Sequence, residues 1–217
     1  MRNEGCIIIA IDGPAASGKG SIARLLAKIL NFDYLDTGIL YRTVAARMLE
    51  AKIGLGDIEE IKKLISKTDF NDNSKLDLHG TLVSKFTPPV AAIPEVRNAL
   101  LDVQRNFPCG KRGVVIEGRD IGTVIFQKAD VKVFITADLE VRAERRFKQL
   151  QNAGENIIHD QVLCDLRERD LKDSSRELAP LKLGAPYNVI DTTHITLGES
   201  VEKILELIPE VYFKKSK

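Results

Sequence analysis

With 32 basic and 31 acidic residues, the 217-residue chain carries a formal net charge of +1, which excludes the one-sign field that collects a nucleic acid polymer or an anionic membrane. Its length allows one well-formed core with a small insertion, not two full-sized domains. Three cysteines, Cys6, Cys109 and Cys164, are an odd number without metal-ligand spacing, as expected of reduced thiols in a reducing compartment. No apolar stretch approaches the roughly twenty residues that cross a bilayer, and the N-terminus lacks the pattern of a secretory signal, so a cytoplasmic location is expected.

In chain order, the apolar run Cys6-Ile7-Ile8-Ile9-Ala10-Ile11-Asp12 predicts a strand. It leads into Gly13-Pro14-Ala15-Ala16-Ser17-Gly18-Lys19-Gly20-Ser21 and then a helical pattern, Ile22 to Leu30. Strand, glycine-rich loop and helix start form the setting of a phosphate-binding P-loop. Backbone N–H groups there curl around phosphate oxygens, the helix adds its positive end, and Lys19 adds a full charge. The commonest P-loop puts Ser or Thr directly after the lysine to hold magnesium. Here Gly20 intervenes, leaving Ser21 as a candidate metal ligand.

Residues 31–35 read as a short strand, and Asp36-Thr37-Gly38 punctuates it before a helix from about Ile39 to Leu49. The segment 54–94 differs in character: a charged helix near 58–66, a polar stretch 68–75, one hairpin strand, and the pair Pro88-Pro89. It reads as a lobe inserted on the main sheet. A helix from Pro94 to about Gln104 follows, with proline at its first position. Strands are then expected at 114–117, 131–135 and 187–190, helices over most of 138–172 with a break near Gly154, and an amphipathic helix from about Leu197 to Ile208. Short β-branched strands separated by helices imply a parallel sheet with ligands at the carboxyl ends of its strands.

Four charged groups lie where a second phosphate-bearing ligand would sit. Thr37, Gly38, Tyr41 and Arg42 follow the second strand; Glu117-Gly118-Arg119-Asp120 ends the third. Arg169, Asp173 and Arg176 recur at i, i+4 and i+7 on one helical face, and Arg142, Arg145 and Arg146 lie on the helix after the fourth strand. Such a surplus of cations suits phosphoryl transfer, where charge spreads over equatorial oxygens and catalysis is alignment plus electrostatics.

Together, Gly-Pro-x-x-x-Gly-Lys-Gly-Ser, Leu35-Asp36-Thr37-Gly38-x-x-Tyr41-Arg42, Val90-Ala91-Ala92-x-Pro94-x-Val96-Arg97, Glu117-Gly118-Arg119-Asp120-x-Gly122-Thr123-Val124 and Glu168-Arg169-Asp170-x-x-Asp173-x-x-Arg176 resemble bacterial cytidylate kinase nearly end to end. The resemblance implies an α/β fold: a three-layer P-loop kinase core with a five-stranded parallel sheet flanked by helices, a small monophosphate-binding insertion and a helical lid. It implies a core at 1–53 and 95–217, a lid at about 145–178 and an inserted lobe at 54–94.

The activity implied is transfer of the γ-phosphoryl group of ATP, with Mg2+, to CMP or dCMP. Gly13, Pro14, Ala15, Ala16, Ser17, Gly18, Lys19, Gly20, Ser21 and Arg145 would hold ATP, with Lys19, Arg119 and Arg176 catalytic. Thr37, Arg42, Arg119 and Arg176 would meet the acceptor's phosphate, and Arg169 and Asp173 its ribose. Arg97 and Asp120 would read cytosine: its N4 amino group donates to a carboxylate, while O2 and N3 accept from a guanidinium. Uracil would leave two acceptors facing each other at Asp120. Pro88-Pro89 stand where the family carries a Ser-Gln pair whose serine helps bind cytosine, so looser selectivity against UMP is expected. No nucleic acid polymer or membrane is an expected partner, and a monomer fits the near-neutral composition.

Two other readings share the P-loop. One is another small P-loop kinase, acting on AMP, UMP or a non-nucleotide metabolite. The other is a nucleotide-binding switch that transfers nothing; against it, the sequence has no Asn-Lys-x-Asp motif and no Asp-x-x-Gly after a strand.

Overall fold

The structure, a computed structural model, describes residues 5–70, 72, 76–78, 80–184 and 186–209. Five strands, β1 (Ile7–Asp12), β2 (Asp33–Asp36), β3 (Gly113–Gly118), β4 (Val131–Thr136) and β5 (Asn188–Asp191), form one parallel sheet in the order β2-β3-β1-β4-β5. The strand that opens the chain is therefore central. Its Ile9 and Ile11 are buried on one face of the sheet and Ala10 on the other, which is why the run reads as continuously apolar rather than alternating.

Helix α1 (Lys19–Leu30) and helix α8 (Leu197–Leu205) cover one face. Ile22, Ala23 and Leu26 of α1 and Val201 and Ile204 of α8 pack on Ile9, Ile11, Val115, Val133 and Ile135. Helices α6 (Leu139–Asn152) and α7 (His159–Ser175) pack on each other through Ala143, Leu150, Val162 and Leu166, with Ala15 in the same cluster. The register sets Asp12 opposite Gly118, so β1 and β3 end together and deliver the loop at Gly13 and the charges at Arg119 to one edge. The chain leaves β1 toward β2 and leaves β3 toward β4, in opposite directions across the sheet, making that edge the switch point where α/β sheets take ligands.

The chain divides into two compact units, residues 1–35 with 108–217 and residues 36–107. The second contains α2 (Thr37–Ala51), α3 (Ile58–Ser66), α4 (Thr81–Ala92) and α5 (Pro94–Asn106) around Leu40, Val44, Met48, Ile61, Val83, Val90, Val96 and Leu100. It is wider than the 54–94 segment expected from the sequence because α2 and α5 belong to its core. The hairpin strand expected there is not found among the described residues. Part of the polar stretch 68–75 lies outside them.

Helix α4 runs through Pro88 and Pro89. Those residues cannot donate to the carbonyls four positions back, yet Val83, Thr87, Val90 and Ala91 are buried together on one side, and the Thr87 hydroxyl adds a 2.7 Å bond to Val83 O. Packing overrides the local cost.

Helix α7 ends at Ser175, and Arg176 beyond it is extended at φ −62°, ψ 143°. Ser174 and Ser175 turn their hydroxyls onto the Leu171 carbonyl, the local competition by which serines loosen a helix end. Arg169 and Asp173 share a helical face as expected; Arg176 does not.

Candidate functional site

The loop from Gly13 to Gly18 caps the carboxyl end of β1, and α1 begins at Lys19. Gly18 is the N-cap at φ 87°, a conformation that residues with a Cβ seldom adopt, and no side chain caps the helix. The first turn of α1 thus keeps N–H groups open to an anion. Lys19 Nζ stands 3.5 Å from Pro14 O and 3.9 Å from Glu117 Oε2.

Glu117, 4% exposed near the end of β3, lies against the helix start. A Cβ on Gly20 would meet its Oε1 at 2.9 Å, which explains the glycine that separates Lys19 from Ser21. Tyr34 on β2 donates its hydroxyl to the same oxygen. This Tyr34, Glu117, Lys19 group was not read from the sequence. The pairing joins residues 83 apart and requires β2 and β3 to be neighbours.

Asp12, the last residue of β1, is fully buried. Its two oxygens accept from the N–H groups of Ile121 and Gly122, 2.9 Å each, and from the hydroxyl of Tyr187. Burial raises its pKa, against which the Gly122, Tyr187 and Ile121 donors work. The bonds pin a π-helical turn, Ile121–Ile125, directly after Arg119 and Asp120. Burial next to Asp12 also pushes the Tyr187 phenol well up, so it stays a donor.

The expected charges of this unit converge. Arg119 donates through Nε to Asp173 Oδ2 at 2.7 Å, and Arg176 Nη2 lies 3.9 Å from Asp120 Oδ1. Burial opposes both charges of the first pair, but the partners outweigh it: Asp173 raises the Arg119 pKa, and Arg119, Arg169 and Arg176 hold Asp173 below the usual carboxylate value. Arg176 also donates to Ala179 O through Nε at 2.8 Å.

The three α6 arginines separate. Arg146 bonds Gln149. Arg145 donates to Thr192 Oγ1 at 3.0 Å and Thr192 O at 2.7 Å, with Nη1 3.8 Å from where a Cβ on Gly18 would stand. Arg142 is buried on protein acceptors.

In the second unit, Thr37 is buried at the start of α2, where Asp36 caps the helix by accepting from Ile39 N–H. Asp36 also pairs with Arg42, 2.8 Å. Arg97 bonds Ala91 O at 3.3 Å and stacks over the Tyr41 ring, 5.8 Å from its centre. Every one of these positions was legible as a motif; their internal pairings were not.

Among the described residues no three His, Cys, Asp or Glu side chains converge as a metal cage, and no helix is long and apolar enough to cross a membrane.

A profile of the family described as cytidylate kinase matches residues 9–210. A cytidylate kinase of Rhodospirillum rubrum is 44% identical over 209 residues, covering 93% of this chain and 97% of that protein. One from Paramagnetospirillum magneticum is 44% identical over 204 residues with the same coverage. Among solved structures, an uncharacterised protein from Eubacterium ventriosum aligns with a TM-score of 0.55 at 14% identity, covering 92% of this chain and 96% of its own. A gluconokinase from Sinorhizobium meliloti gives 0.50 at 16% identity, over 95% and 93%. At such identities the two structures speak for the fold alone.

Proposed function

The chain belongs to the cytidylate kinase family, and on that premise we propose that it transfers the γ-phosphoryl group of ATP to CMP and dCMP, giving CDP and dCDP. The observation that carries this reading is the shared edge of β1 and β3, where the Gly13–Gly18 loop follows β1 and Arg119 and Asp120 follow β3 to meet Asp173 and Arg176.

The loop N–H groups and Lys19 hold the donor phosphates, and Arg145 adds charge beside Gly18. Arg119 and Arg176 neutralise the phosphoryl group in flight, where guanidinium forks match its spread of charge. In the present pairing both arginines already sit on carboxylates, so an incoming phosphate shares or takes over donors that are in place. This lowers the cost of ordering them. Arg169 and Asp173 take the acceptor's ribose. Asp120 accepts from the cytosine N4 amino group, and Arg97 is assigned to the O2 and N3 acceptors. Thr37 and Arg42 are assigned to the acceptor's phosphate.

For magnesium, the Ser21 hydroxyl in the first turn of α1 is the assigned hard-oxygen ligand, while the Glu117 carboxylate against Gly20 is held by Tyr34 and Lys19. When bound, the metal neutralises charge on the phosphates being joined. The segment 54–94 serves the acceptor, and 145–178 is a lid that excludes water, the competing acceptor. A monomer acting in the cytoplasm, in pyrimidine nucleotide metabolism, completes the reading.

The test is the initial rate of ADP formation from ATP and Mg2+ with CMP, dCMP, UMP and AMP supplied separately. Strong stimulation by CMP and dCMP, with UMP weaker and AMP inert, supports the reading. Stimulation by none of the four removes the acceptor assignment and leaves the P-loop standing.

A further inference from the structure

We infer that Arg142 is a positioning residue that sets the direction of the phosphate-binding N–H groups in the Gly13–Gly18 loop. In a trans peptide the carbonyl and the following N–H point opposite ways. A loop that turns N–H groups onto an anion must therefore turn the matching carbonyls outward, where they need donors. Three of these carbonyls have side-chain donors, Pro14 O among them, 3.5 Å from Lys19 Nζ. Ala15 O accepts from Arg142 Nη1 at 3.2 Å, and Ser17 O accepts from the Thr192 hydroxyl at 3.0 Å.

The Ala15 carbonyl matters most, because its peptide partner is the N–H of Ala16. Ala16 sits at φ 58°, a left-handed state that its Cβ disfavours, so surrounding groups must hold it there. Arg142 is 7% exposed and built for that task. Nε donates to Ala137 O at 2.9 Å, which fixes the guanidinium to the start of its own helix, and Nη1 also pairs with Asp170 Oδ2 at 2.6 Å. Asp170 lies on α7 between Arg169 and Asp173. One planar fork thus ties the loop to the helix that carries two of the proposed acceptor-binding residues. A lysine could keep the ion pair, but one ammonium lacks the rigid fork that reaches all three acceptors at once.

The inference rests on reading Gly13–Ser21 as the donor loop, and titration with ADP, without Mg2+ or acceptor, tests it apart from the acceptor's identity. Arg142→Met and Arg142→Lys are compared with wild type by calorimetric titration, with thermal unfolding measured in parallel. R142M is expected to bind ADP about tenfold more weakly, the loss typical of a charge-assisted hydrogen bond, and R142K about threefold or more. A strut that only stabilises the fold would lower Tm and leave the folded protein's ADP affinity alone. Weakening of less than about threefold in folded R142M overturns the inference. If R142M does not fold, R142K decides by the same threshold. Wild type that fails to bind ADP removes the donor-loop reading and the inference with it; equal binding by wild type and R142M removes the inference alone.

Discussion

Glu117 lays its carboxylate over Gly20, with Oε1 2.9 Å from where a Cβ on that glycine would stand. The carboxylate is held from its other sides by the Tyr34 hydroxyl and Lys19, so it has little room to retreat. Gly20→Ala is expected to cost about 1–2 kcal/mol of stability and to lower kcat/KM for ATP about tenfold by displacing Lys19. Thermal unfolding and initial rates measure both. Unchanged values for the two would mean that Glu117 yields freely.

Tyr34→Phe removes the hydroxyl and leaves a buried carboxylate oxygen with one donor fewer. A loss of about 1–3 kcal/mol is expected in denaturant unfolding, in the range for a bond to a charged acceptor. The effect should be much smaller in a Tyr34→Phe, Glu117→Gln double variant, because a neutral amide loses less when its neighbour goes; a double-mutant cycle reads the difference.

The Arg119–Asp173 pair gives a pH dependence with a defined sign. Asp173 is held below its ordinary value of 3.8 in the fold. Its contribution to stability is therefore full above that value and is lost as the pH falls through the depressed folded value. Asp173→Asn is expected to be about 1–3 kcal/mol less stable than wild type at pH 7. The gap should narrow below pH about 4. A gap that stays constant from pH 7 to pH 3 would show that the charge is not what Arg119 holds.

Asp120 distinguishes base reading from phosphate binding. Asp120→Ala should reduce kcat/KM for CMP about a hundredfold, through loss of a charge-assisted contact to N4, while UMP falls much less. Initial rates with the two acceptors check this. A parallel fall for both would assign Asp120 to holding Arg176, 3.9 Å away, rather than to cytosine.

Pro88 lies inside α4, where its ring crowds the preceding turn and it has no N–H to offer. Pro88→Ala removes the ring and supplies an N–H, and should raise stability by about 1 kcal/mol after the stiffness the proline gives the unfolded chain is allowed for. Thermal unfolding measures the change.

The parts of the fold legible in the sequence were those set by short-range pattern. The run before Gly13, the β-branched residues at 114–116 and 131–135, and the glycines around Lys19 each announce their element locally. Misread parts depended on what lies across the fold. A hairpin strand was expected within 54–94, yet helix α4 runs through Pro88 and Pro89, with Val83 and Val90 packed in its core. Arg176 fitted the helical spacing, but the serines before it release the helix one residue too soon. The half-buried Tyr34 and Tyr187 and the buried Thr192 and Asp12 carry no motif, since each meets its partner through strand order rather than sequence proximity.

The central place of β1 also bears on synthesis. Residues 7–12 leave the ribosome well before their two neighbours in the sheet, residues 113–118 and 131–136. Until β4 emerges, the most apolar strand of the chain has an open edge, and the loop after it lacks the walls that shape it. Such long-range pairing is slow to form, and an unpaired apolar edge is what holdase chaperones and self-association both recognise. A nascent chain halted before residue 131 should therefore be aggregation-prone and unable to grip a nucleotide, although its whole phosphate-binding motif has already been made.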